Sequence, residues 1–153
     1  MSTILKEKVK GPVAWKGTDL AKDESWVYYL TEKTIASLEN ALAHVKQKGL
    51  KAPEFNKEDF PISDLLDEID YFVEELENGR GFLLIRGLPI ERYTDEEASI
   101  IYWGLGLHMG TPVSQNANGD LLGHVRDQGL SLENSNVRGY QTKLHLPFHA
   151  DGS

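Results

Sequence analysis

The sequence contains no cysteine, no excess of basic residues and no apolar run approaching the ~18 residues that a membrane-spanning helix needs. Without cysteine there are no disulfides, no thiolate nucleophile and no cysteine-based zinc site. The N-terminal stretch MSTILKEKVKGP has neither an apolar core nor a small-residue cleavage pattern, so it does not read as a secretory signal. A cytoplasmic chain with no membrane partner is the expectation. Sixteen Lys+Arg against 24 Asp+Glu leave a net charge of −8. No basic stripe is available to displace counterions from phosphates, which argues against nucleic acid as a partner.

What is present is an ordinary globular composition. The 153 residues are 40% hydrophobic and 26% charged, which suits one globular domain and does not read as a disordered chain. Residues 1 to about 30 read as irregular, broken by Gly11-Pro12 and Gly17, with Trp26, Tyr28 and Tyr29 marking a segment that packs onto something. From Thr31 the apolar residues Ile35, Leu38, Leu42 and Val45 recur at helical steps, and Gly49 supplies a stop. A second helix from about Ser63 carries Leu65, Ile69, Phe72, Val73 and Leu76 on one face. The acids Asp67, Glu68, Asp70, Glu74, Glu75 and Glu77 form its other, solvated face.

After Gly79-Arg80-Gly81, the run Phe82 to Ile85 predicts a buried strand. Thr94-Asp95-Glu96-Glu97 is a capping box. The helix it opens is expected to turn Ala98, Ile101, Tyr102 and Leu105 inward and to dissolve in GLGLHMGTP. Residues 121–127 and 137–144 read as short strands of a mostly antiparallel sheet. The fold class is therefore α+β: a mostly helical part over 1–78, then a sheet-forming part over 79–153 of the same domain. So few strands leave an open edge. That edge calls either for another chain against it, a further copy included, or for a continuation beyond Ser153.

The chemistry concentrates in Phe148-His149-Ala150-Asp151-Gly152. On a strand, His149 and Asp151 project from the same face, so both can meet one ion. An imidazole and a carboxylate are two members of the two-His-one-carboxylate set that leaves positions open on iron. By spacing alone, a hydrogen-bonded His–Asp pair is the competing reading.

Four ordered blocks add weight to the metal reading: GRGFLLIRGLP (79–89), YTDEEASIIYWGLGLHMGTPVSQN (93–116), GDLLGHVRDQG (119–129) and VRGYQTKLHLPFHADGS (137–153). Together they resemble the taurine dioxygenase-like family of Fe(II)/2-oxoglutarate-dependent oxygenases. The resemblance implies a double-stranded β-helix (jelly-roll) core with flanking helices, of which this chain would hold the first strands. It implies Fe(II) held by His149 and Asp151, 2-oxoglutarate as cosubstrate, and O2 and a small organic substrate as reactants. The family's second His ligand, and the Arg that pairs with the far carboxylate of 2-oxoglutarate, lie downstream of His-x-Asp. No residue up to Ser153 matches either, so the expectation is the N-terminal portion of such an enzyme, without turnover on its own.

The remaining candidates are subordinate. His145, four residues before His149, lies roughly 13 Å away on a strand, too far to share the ion. The resemblance turns that position toward substrate, and a solvent-facing or hydrogen-bonded core histidine is the competing reading. Asn116 in SQNANGD either lines the pocket mouth or serves turn chemistry. One parity of Tyr140, Gln141 and Thr142 faces the cavity, and Phe148 is an aromatic beside the metal motif. His108 and His124 read as structural, His44 as surface, and Arg80 and Arg86 as strand-end charges. Two other readings accompany the oxygenase: a non-catalytic module that binds a partner chain through its open sheet edge, and a hydrolase using His149 and Asp151 with a water nucleophile.

Overall fold

A computed structural model describes residues 7–116, 118–127 and 129. The chain divides into two compact units, one reaching Val113 and the other beginning at Ser114. In the first, the elements run α1 (Gly17–Leu20), β1 (Val27–Tyr29), α2 (Glu32–Gln47), α3 (Leu66–Glu77), β2 (Leu84–Arg86) and α4 (Asp95–Met109). Short 3₁₀ turns at Lys57–Asp59, Ser63–Leu65 and Ile90–Arg92 connect them.

Helix α2 forms where the apolar spacing predicts it. The Thr31 hydroxyl accepts from the Thr34 amide at 3.1 Å to cap its start, and Gly49, at φ +67°, ends it. Leu38, Ala41, Leu42 and Val45 are buried, while Ile35 is only half-buried. Two polar residues share that buried face because α3 and the 3₁₀ turn before it supply acceptors. Thr34 donates to Glu68 at 3.0 Å, and Ser37 donates to Asp64 at 2.7 Å. With its proton committed to Glu68, the Thr34 oxygen accepts from Thr31 at 2.8 Å, so the small network closes on itself.

Helix α3 buries Ile69 and Phe72, with Leu65 just before it. Val73 is half-buried and Leu76 lies at the surface. Most of its acidic face is solvated, as expected; Glu68 and Glu75 are the half-buried exceptions, each with a partner.

Helix α4 differs from expectation in length and face. It runs through Gly104 and Gly106 to Met109 instead of dissolving there, because its glycines sit against other structure or solvent without breaking the ladder. Ile100, Ile101, Trp103 and Gly104 face the core, whereas Tyr102 is 71% exposed. The Trp103 indole donates to the Phe55 carbonyl at 3.1 Å, which gives its buried N–H a partner. The Thr94 box forms as predicted: its hydroxyl accepts from the Glu97 amide, and Glu97 accepts from the Thr94 amide at 2.9 Å.

The sheet also needs correction. Among the described residues it has two strands, and they are parallel, pairing Val27 with Leu84, Tyr28 with Ile85 and Tyr29 with Arg86. The "irregular" start of the chain therefore contains a strand, joined to a partner far along the sequence. The run Phe82 to Ile85 is half-buried at most, with Leu84 41% exposed, because only the Tyr28–Ile85 side faces the helices. Tyr28 meets Phe72 edge-on at 4.8 Å between ring centres. The helices and this small sheet give an α+β architecture.

Candidate functional site

The segment from Ser114 onward begins with a turn tied by its own side chains. The Gln115 amide donates to the Asp120 carbonyl at 2.7 Å. Asn116 organises the turn from within: Oδ1 accepts from the amides of Asn118 (3.0 Å) and Asp120 (3.2 Å), and Nδ2 donates to the Asp120 carboxylate at 2.7 Å. Gly119, at φ +87°, closes the loop by donating to the Asn116 carbonyl. Both polar atoms of the Asn116 side chain are thus engaged in turn chemistry.

The strand predicted over 121–127 does not form. Those residues carry no strand pairing among the described residues, and His124 is exposed. An extended apolar run becomes a strand only where another strand offers its backbone groups, and none is offered to this segment among the described residues. The predicted strand 137–144, and with it Tyr140, Gln141 and Thr142, lies outside the described residues. So do His145, Phe148, His149 and Asp151.

His108 is on the last turn of α4, not in a loop. Its Nε2 lies 2.7 Å from the Phe60 carbonyl, which can only accept, so that nitrogen carries the proton. Nδ1 is buried and has no hydrogen-bond partner among the described residues. Phe60, fully buried, lies directly against Gly104 one turn earlier: a Cβ there would meet the Phe60 ring at 2.3 Å. Gly104 and His108 together seat Phe60 on α4. Nothing in the alternation of polar and apolar residues signals this seat.

A second feature of the same unit is an open groove of about 310 Å³ between the end of α2 and the start of α4. Leu50 and Ile100 form its apolar lining, and Lys46 and Lys51 stand on its rim. Lys46 pairs with Glu97, and Lys51 with Glu96 at 3.0 Å. The Lys46 hydrogen bond, with the Thr94 amide next, brings the Glu97 carboxyl down to about 2. Elsewhere Tyr93 donates to Glu39 at 2.9 Å, and burial followed by that bond raises its phenol to about 12.

No group of three His, Asp or Glu able to hold a metal ion occurs among the described residues. The iron ligands expected from the sequence, His149 and Asp151, lie outside the described residues.

The profile of the taurine catabolism dioxygenase TauD, TfdA family matches residues 46–153, more than half of the chain. The chain belongs to this family. It is 34% identical to the FR-33289 synthase of Streptomyces rubellomurinus over 152 residues, covering 99% of this chain and 45% of that protein. It is 27% identical to the taurine hydroxylase-like protein SAT17 of Stachybotrys chartarum over 151 residues, covering 94% of this chain and 39% of that protein. This TauD/TfdA-family chain therefore spans less than half the length of these relatives. The match begins in the last turn of α2 and continues through α3, β2 and α4 to His149 and Asp151. No helix among the described residues is long and apolar enough to cross a membrane.

Proposed function

We propose that these residues form the N-terminal portion of an Fe(II)/2-oxoglutarate-dependent dioxygenase that hydroxylates a small organic substrate. In this reading 79–153 begins a jelly-roll core. His149 and Asp151 are two of its three iron ligands, and a later part of a family-length protein supplies the third together with the clamp for 2-oxoglutarate. The observation that carries the proposal is that the family match spans residues 46–153, a range that includes His149 and Asp151.

The donor set suits the metal. His149 would offer a neutral imidazole and Asp151 a carboxylate, a nitrogen and oxygen donor pair that suits iron(II). When bound, the iron couples reduction of O2 and decarboxylation of 2-oxoglutarate to oxidation of an unreactive C–H bond. The part played by this chain is to hold two ligand atoms in register. The Asp151 carboxylate supplies negative charge to the cation, and His149 binds as the unprotonated form, so affinity falls as acid protonates it. His145 and Asn116 are assigned to the substrate side, Asn116 through the turn it organises.

The test is succinate release from 2-oxoglutarate by the natural gene product carrying these residues, with iron(II) and O2 supplied. Release that requires iron and disappears in His149→Ala and Asp151→Ala supports the assignment. Turnover with zinc and without 2-oxoglutarate would replace it with a hydrolase.

A further inference from the structure

Residues 7–26 differ from the rest of the first unit in how they are held. Their backbone hydrogen bonds are local: Ala14 to Gly11, Asp19 and Leu20 to Lys16, Ala21 to Gly17 and Lys22 to Asp19. The backbone link to the rest of the unit comes at the boundary, where the Leu84 amide donates to the Trp26 carbonyl at 2.9 Å. None of these residues belongs to the buried core, and Val9, Val13 and Trp15 are about half exposed.

Side chains make the attachment, and they converge on Arg80 and Phe82. The Trp15 indole donates to the Arg80 carbonyl at 3.0 Å, and its ring meets Phe82 edge-on at 5.1 Å. Trp26 lies against the same Phe82 at 5.9 Å. Val13 packs beside Gly81, whose φ of +81° brings the backbone close enough for a Cβ there to lie 3.5 Å from the valine methyl. The Arg80 guanidinium completes the attachment. One nitrogen holds Glu75 of α3 at 3.2 Å; the other holds Asp23 at 3.0 Å and also Ser25. Arg80 thus bridges the end of α3 to this segment.

Position gives the attachment a consequence. In a strand, alternate residues share a face, so Phe82 continues the outward side of the sheet that carries Leu84 on β2 and Tyr29 on β1. Leu84 and Tyr29 are 41% and 62% exposed. The segment covers the Phe82 end of that apolar face and leaves the other end open.

We propose that residues 7–26 are a detachable strap, latched by Arg80 and Trp15, which opens as a unit separate from the α2–α3–α4 core. Opening uncovers Phe82 and releases Asp23 and Ser25 from the Arg80 guanidinium, which keeps Glu75, and it extends the exposed apolar surface beside Leu84 and Tyr29. Apart from the two backbone bonds at its boundary, Leu84 to Trp26 and Val27 to Glu24, the segment's backbone bonds are internal, so its opening is governed by those bonds and the few contacts at the latch. Arg80 holds two carboxylates on separate elements through different nitrogens, and a lysine ammonium cannot reproduce that fork.

The test is hydrogen exchange read by mass spectrometry on peptides from 7–26 and from α2, α3 and α4. In the wild type, strap peptides exchange faster than core peptides but well slower than an unstructured chain. Arg80→Ala and, independently, Trp15→Ala speed strap exchange by about tenfold or more while core peptides keep their rates; Arg80→Lys falls between wild type and Arg80→Ala. Two results overturn the proposal: strap and core peptides that speed up together in both variants, or a strap that exchanges as an unstructured chain in the wild type.

Discussion

Replacing Gly104 by alanine isolates the seat of Phe60 on α4. On an ordinary helix the change would stabilise, because alanine favours the helix over glycine by about 1 kcal/mol. Here the added Cβ would stand 2.3 Å from Cγ of Phe60 and 2.5 Å from both ring Cδ atoms, where ordinary contact begins at 3.4 Å. The ring must retreat by about an ångström, yet it is fully buried, with Phe55 stacked at 6.3 Å on one side and His108 bonded to its own carbonyl. Overpacking of this kind costs about 1–3 kcal/mol, so the propensity gain is cancelled and a net loss of up to about 2 kcal/mol is expected. For a chain of this size that lowers Tm by up to roughly 8 °C. Gly106, two residues on in the same helix, provides the control, since a Cβ there meets nothing within 4 Å. Gly106→Ala should gain about 0.5–1 kcal/mol. Urea denaturation of the two variants, with Gly104→Ala repeated in a Phe60→Leu background, reads both signs and the coupling between the sites. If Gly104→Ala is as stable as Gly106→Ala, Phe60 is not seated as described.

Three further outcomes follow from the same contacts. Thr94→Ala removes the hydroxyl that caps α4 and should cost about 1 kcal/mol in urea denaturation. The Glu97 carboxyl, held at about 2 by Lys46 and then the Thr94 amide, adds stability that is complete above its ordinary value of 4.5 and is lost as pH falls toward 2. Glu97→Gln should therefore flatten the acid limb of stability against pH in that window. The Tyr93 phenol, raised to about 12 by burial and then Glu39, stabilises the fold below pH 10 and loses that contribution between about 10 and 12. An ultraviolet phenolate titration should show a late-titrating tyrosine that disappears in Tyr93→Phe.

What could be read from residues alone was what local chemistry decides. Thr31, Gly49 and the Thr94–Glu97 box mark helix ends because caps act within one turn. Leu38, Leu42, Val45, Ile69 and Phe72 mark core faces because helical spacing is itself the signal. The misreadings share one cause, a partner distant in sequence. Strand β1 is three residues long and has no identity without β2. The burial of Thr34 and Ser37 is legible only once Glu68 and Asp64 are placed opposite them. Tyr102 and Trp103 compete for the inward side of α4, and the Phe55 carbonyl that accepts from the indole settles it for Trp103. For the candidate site the balance is reversed. His149 and Asp151 were found as a two-residue motif within ordered blocks, a signal that needs no knowledge of the fold around it.

The most direct measurement is an anaerobic titration of iron(II) into the natural gene product that carries these residues, followed by calorimetry. The account predicts one iron per chain, lost in His149→Ala and in Asp151→Ala and retained in His145→Ala and His124→Ala. Iron binding that survives both of the first two substitutions would contradict it, as would a wild-type protein that binds no iron.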